Sequence, residues 1–223
     1  VASTSATTST SFDRRAAPWG SATWWRWVSR TTLGEAAGFL FPVLVVLSGA
    51  DDLPAGPRLA VLLLAGAAEG AILGWAQSSV LVSLLPDLSR RDWVVRTAVA
   101  AVVAWAIGMG PSTWAAGLVD LPMTVIVVLA VPAGAVLLCS IGVAQWTVLR
   151  RHVPGAGWWI IWTAAGWIVA LGVFTLVTTP LWQPAQGAAT VSLIGALGGV
   201  LMAIAMSVVT GAGLRRVLAG PGR

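Results

Sequence analysis

The 223-residue chain contains no lysine, one cysteine (Cys139) and one histidine (His152), and only 9% of its residues are charged. Each scarcity excludes a class of chemistry. Without lysine there is no Schiff base, so a retinal-binding opsin and every catalytic-lysine scheme fall away. One cysteine forms no intrachain disulfide, and one Cys with one His makes no zinc or iron–sulfur ligand set. Cys139 lies in an apolar run and reads as a small buried hydrophobe. His152 follows Arg150 and Arg151 and precedes Pro154, so it belongs to a loop. Most hydrolytic schemes therefore lack a base, and no cofactor, metal or enzyme activity is expected.

Charge is scarce because apolar residues fill the chain. They make up 57% of it, and the mean hydropathy is +0.87. A soluble domain carries about 25% charged residues, so this composition points to a bilayer. Six apolar runs cover roughly 32–50, 58–85, 92–113, 121–149, 156–180 and 187–214. A spanning helix needs about 20 such residues. Asp51, Asp52 and Pro54 close the first run, and Pro86 and Asp87 close the second. Asp120 and Pro122 look like an N-cap and a first-turn proline for the fourth. Pro154 separates the fourth and fifth, and Pro180 and Pro184 the fifth and sixth. Turns this short make successive helices antiparallel neighbours.

The basic residues are thirteen arginines in short clusters. That pattern belongs to membrane topology rather than to a nucleic-acid groove, so no nucleic acid is expected as a partner. Arg14, Arg15, Arg26, Arg30, Arg90, Arg91, Arg96, Arg150, Arg151, Arg215, Arg216 and Arg223 fall on one side of a six-span topology, and Arg58 alone on the other. The positive-inside rule then puts both termini in the cytoplasm, and the expected location is a bacterial inner membrane. Residues 1–18, rich in Ser, Thr and Ala, lack a signal-peptide core and read as a disordered cytoplasmic tail; residues 219–223 form a second cytoplasmic tail. Val1 is what a GTG start codon translated literally would give. Trp19, Trp24, Trp25, Trp27, Trp93, Trp114, Trp158, Trp159 and Trp182 lie near the run boundaries, where interfacial anchoring is expected. Trp75, Trp105, Trp146, Trp162 and Trp167 lie deeper.

The even runs share a spacing. Gly66, Gly74, Gln77 and Leu81 align with Gly134, Gly142, Gln145 and Leu149, and with Gly199, Ser207, Thr210 and Leu214. The odd runs share W-x-x-x-T at Trp27/Thr31, Trp93/Thr97 and Trp159/Thr163, each 66 residues after the last. The expectation is an all-α membrane protein. Its six transmembrane helices form three parallel helical-hairpin repeats, at about 24–86, 90–154 and 156–218, in a pseudo-threefold bundle over residues 19–218. The pattern resembles that of small Trp-containing polytopic membrane proteins of actinobacteria and cyanobacteria, carried here by Gly142, Gln145, Trp146, Leu149 and Arg150, then Trp159, Thr163 and Gly166. Ser78 and Val82 depart from it in the first copy. The resemblance implies a fold pattern and no chemistry.

Two sets of polar residues stand in the apolar runs. Gln77 and Thr97 straddle Pro86 at similar depth, and Gln145 and Thr163 straddle Pro154 likewise. A Gln–Thr hydrogen bond is expected to clasp each hairpin, with Thr31 and Thr210 as the remaining members, on seams opened by Gly66, Gly74, Gly134, Gly142 and Gly199. Glu35 and Glu69 are sharper, since an intramembrane carboxylate marks a functional site by default. Glu35 is about 6 Å deeper than Thr31, and Glu69 about 12 Å deeper than Gln77, on sequential helices. Their repeat equivalents are Ala101 and Trp167, and Leu137 and Met202, so neither acid is repeated. If close, the two carboxyls hold one proton between them. Pro42 and Pro132 fall within runs and can kink a helix and free a carbonyl. The function expected is that of a small permease or channel-like protein for protons, cations or a cationic solute. The alternative is a non-catalytic scaffold or accessory subunit, whose partners beyond lipid are another membrane protein or a second copy.

Overall fold

The computed structural model describes residues 19–113 and 121–220. Asp120, Trp114, the tail at 1–18 and residues 221–223 lie outside them; the start of the expected C-terminal tail, Ala219, is the last residue of the final helix. Within that range the chain is all-helical. The helices are α1 (Ser21–Leu47), α2 (Ala55–Leu84), α3 (Arg90–Thr113), α4 (Met123–Leu149), α5 (Trp158–Leu181) and α6 (Ala188–Ala219), with a short 3₁₀ turn at Ala50–Asp52. The last five are long and apolar enough to cross a membrane.

Prolines set several helix starts. Pro54 and Pro122 stand at the N-caps of α2 and α4, with extended ψ values of 150° and 141°. There their fixed φ suits the entry and their missing N–H costs nothing. Pro122 thus lies just outside α4 rather than in its first turn. Pro180 lies inside the end of α5 instead of separating it from α6, and Trp182 closes that helix with its N–H on the Thr178 carbonyl. Helix α1 begins eleven residues before the apolar run at 32, because its Trp- and Arg-bearing first turns continue the same hydrogen-bond ladder. Pro42 and Pro132 lie inside α1 and α4, and Pro42 removes the N–H that would otherwise bond the Gly38 carbonyl.

Each helix packs against its neighbours in sequence, and α6 packs back on α1, so the six close into a ring. Arg26, Arg30, Arg90, Arg91, Arg96, Arg150, Arg151, Arg215 and Arg216 gather at the end where α1 starts and α6 finishes, called here the arginine end. Small residues let backbones approach at the seams. A Cβ on Gly74 would lie 3.1 Å from the Val94 Cα, and one on Gly142 3.1 Å from the Ile160 Cα. Gly66 is covered by Trp105, and Gly199 by Phe39. Gly134 has open space over it, and every residue from Pro122 to Pro132 is exposed. The far half of α4 thus stands away from its neighbours.

Candidate functional site

The best-packed part of the interior lies near the arginine end. Leu81, Leu149 and Leu214 are fully buried there beside Trp27, Trp93 and Trp159. These three tryptophans are not interfacial anchors. They turn inward and meet: Trp27 and Trp159 are edge to face with centroids 5.9 Å apart, and Trp93 and Trp159 are 6.3 Å apart. Each indole N–H needs an acceptor once it leaves water. Trp93 Nε1 donates to Gln77 Oε1 at 3.3 Å, Trp159 Nε1 to Gln145 Oε1 at 2.9 Å, and Trp27 Nε1 to Thr210 Oγ1 at 3.4 Å. These bonds join α3 to α2, α5 to α4 and α1 to α6. The signal that could have found these tryptophans is the W-x-x-x-T spacing itself: each Trp lies on one helix face, an i,i+4 step from a buried Thr.

The two glutamines are joined directly. Gln145 Nε2 donates to Gln77 Oε1 at 2.7 Å and to Thr97 Oγ1 at 3.1 Å. The sequence spacing paired Gln77 with Thr97 and Gln145 with Thr163. Instead Gln145 reaches across to Gln77 and Thr97, and Thr163 Oγ1 has no partner. The reason is competition: Trp159 occupies the Gln145 carbonyl oxygen, and its amide nitrogen points at the neighbouring glutamine. Arginine–hydroxyl bonds tie α1 to α2 and add to the Gln145–Thr97 bond between α3 and α4. Arg30 donates to Ser79 Oγ at 2.9 Å, and Arg96 to Thr147 Oγ1 at 3.1 Å.

Deeper in the bundle several polar groups are not satisfied. Thr31 and Thr163 Oγ1 and the Trp167 Nε1 are buried without a hydrogen-bond partner, and the buried carboxyl oxygens of Glu35 have none besides the Glu69 carboxyl. Their spacing is informative. Residues 27, 31 and 35 of α1, and 159, 163 and 167 of α5, each step by four along one helix face. That face begins at the packed tryptophans, so these polar atoms form two successive levels beneath them: two threonines, then Glu35 and Trp167. Glu35 is 0% exposed and Glu69 6%. The two carboxyls interact electrostatically across the α1–α2 contact, where Gly38 abuts the Glu69 backbone. Trp105 Nε1, from α3, donates to Glu69 Oε2 at 2.9 Å. The acids therefore share one locus instead of facing separate seams.

A carboxylate in an apolar interior is stable only with a proton, a cation or donors around it. Glu69 has one indole donor. Glu35 has only the neighbouring Glu69 carboxyl as a hydrogen-bonding partner, and the Gly38 carbonyl nearby has lost its helical donor to Pro42. The locus thus holds more oxygen acceptors than donors, which suits a proton shared by the two carboxyls or a cation beside them. Compared with protein-family models, with curated proteins and with solved structures, the chain matches none.

Proposed function

We propose that this chain is a small membrane permease or channel-like protein that carries protons, cations or a cationic solute through Glu35 and Glu69. The observation that carries this reading is the line of buried polar atoms, unpartnered at Thr31, Thr163 and Trp167, that ends at the Glu35–Glu69 pair. Buried polar groups in native proteins are nearly always paired, with water where protein is lacking. A column that lacks protein partners at two levels is suited to water and to a mobile cation. Trp27, Trp93 and Trp159 form the plug that closes it at the arginine end.

On this reading all six helices span the inner membrane and both termini are cytoplasmic. The helices are three hairpin repeats about an axis through the tryptophan plug. The support for the repeat is that three Trp bonds join equivalent positions between successive hairpins, and that Arg30–Ser79 and Arg96–Thr147 recur at matching positions within two of them. The first hairpin alone carries the acids.

Proteoliposomes holding the full chain test this. An imposed membrane potential is expected to drive proton or monovalent-cation entry, read with a pH-sensitive or cation-sensitive dye. The folded Glu35→Gln/Glu69→Gln variant is expected to lose at least tenfold of that flux. Undiminished flux in that variant, or wild-type vesicles no leakier than empty ones to every cation tried, would refute the proposal. The scaffold reading has one observation of its own, the exposed far half of α4. It gains if the wild type carries nothing and α4 variants lose a co-purifying membrane protein.

A further inference from the structure

A groove of about 1170 Å³ opens at the arginine end between the start of α5 and the finish of α6. Its walls include Trp24, Trp158, Ile161, Trp162, Arg215 and Arg216. The groove lies where the pairing seen in the other hairpins is missing. Arg30 and Arg96 are each followed, 66 residues on, by Arg96 and Trp162, so the third position holds an indole instead of a guanidinium. The hydroxyls that receive those arginines, Ser79 and Thr147, each lie two residues after the helix's polar residue. The matching position after Thr210 is Ala212. No Arg–hydroxyl bond can form between α5 and α6 there, and the surface stays open.

The groove carries two chemistries in a fixed order. At its lip are Arg215 and Arg216, both exposed, with the Arg216 guanidinium 5.7 Å from the Trp162 ring centroid. That contact holds one guanidinium in place while leaving its edge for another ligand. Among the described residues no ion pair to either arginine is found, and the start of α5 adds its positive helix end beside Trp158. Along the wall, Ile161, Ala165 and Ala212 continue the groove down the helices. Paired guanidiniums above an apolar trough, flanked by the Trp158 and Trp162 indoles, match an anionic headgroup above an acyl chain.

We infer that this groove is a binding site for an anionic phospholipid, its phosphate on Arg215 and Arg216 and one acyl chain along Ile161 and Ala212. The inference does not rest on the transport reading, since it needs neither acid.

The full chain, purified in a neutral detergent, is titrated with phosphatidylglycerol and with phosphatidylcholine of the same chains, and bound lipid is counted by native mass spectrometry. One phosphatidylglycerol is expected to be held at least tenfold more tightly than phosphatidylcholine. Arg215→Gln/Arg216→Gln is expected to abolish that preference, and Arg150→Gln/Arg151→Gln to keep it. Ala212→Leu fills the trough without altering charge and is expected to weaken retention at least threefold, which covers the case where the double Arg variant does not fold. Equal retention of the two lipids overturns the inference. So does equal loss in the Arg150/Arg151 variant, which would mean diffuse charge, or full retention in Ala212→Leu. Displacement by millimolar inorganic phosphate also overturns it, since a free anion would then be the ligand.

Discussion

Replacing Gln145 by Leu tests whether the polar layer beneath the tryptophan plug holds the bundle together. Gln145 is fully buried and makes three side-chain bonds, to Gln77, Thr97 and the Trp159 indole. Leucine is of similar size, so packing changes little while all three bonds go. The consequences for the partners differ. Gln77 Oε1 keeps the Trp93 indole, and the Thr97 hydroxyl keeps the Trp93 carbonyl. Trp159 Nε1 keeps nothing. Interhelical hydrogen bonds in membrane proteins average about 0.6 kcal/mol and reach about 1.7, and an orphaned buried donor costs about 1–3 kcal/mol. The expected loss is about 2–4 kcal/mol. Thr163→Val is the control. Its hydroxyl is buried without a protein partner, so no bond to protein is lost, and stability should stay within about 0.5 kcal/mol or rise. Reversible unfolding of both variants in mixed micelles titrated with dodecyl sulfate, followed by far-UV circular dichroism, gives the comparison. A Gln145→Leu protein within 0.5 kcal/mol of wild type would refute the reasoning. So would a Thr163→Val protein that loses as much.

Three further outcomes follow from contacts already described. Gly134→Ala should leave stability unchanged or raise it by up to about 1 kcal/mol, because its Cβ meets open space and Ala favours a helix. Gly142→Ala should cost about 1–2 kcal/mol against the Ile160 backbone; equal behaviour of the two variants in thermal unfolding would count against the close α4–α5 seam. Trp159→Ala removes a ring from the plug and should raise any cation flux in proteoliposomes severalfold, whereas an unchanged or lower flux in a folded variant would remove the plug from the proposal. For orientation, a Cys139→Ala background carrying Ser89→Cys should react with a membrane-impermeant maleimide only after cells are opened. One carrying Gln183→Cys should react in intact cells, and the reverse pattern would invert the topology.

How much of this was legible in the sequence depends on what each signal measures. Apolar runs report preference for lipid, so they found all six helices and most of their ends. They missed the first turns of α1, because residues 21–31 are helical by hydrogen bonding while carrying Arg and Trp that a hydropathy scan discounts. Depth along an axis was equally legible, since rise per residue is fixed. That put Gln77 level with Thr97 and Glu35 beyond Thr31, but rise says nothing about rotation. Whether Gln145 turns toward Thr163 or toward Gln77 is decided by the neighbouring side chains, and here Trp159 takes the carbonyl oxygen and leaves the amide nitrogen for the other glutamine. Tryptophan was ambiguous for the same reason. Trp158 and Trp159 are adjacent, yet one is 66% exposed and the other 0%. Composition cannot separate them, because a step of one residue on a helix turns the side chain by about 100°. The W-x-x-x-T spacing does separate them, because it selects Trp159, and with it Trp27 and Trp93, as sharing a face with a threonine. That same face, followed one more turn, arrives at Glu35 and Trp167. The step from a repeated motif to a candidate path was therefore within reach of the sequence, once the motif was read as a direction around the helix as well as a distance along it.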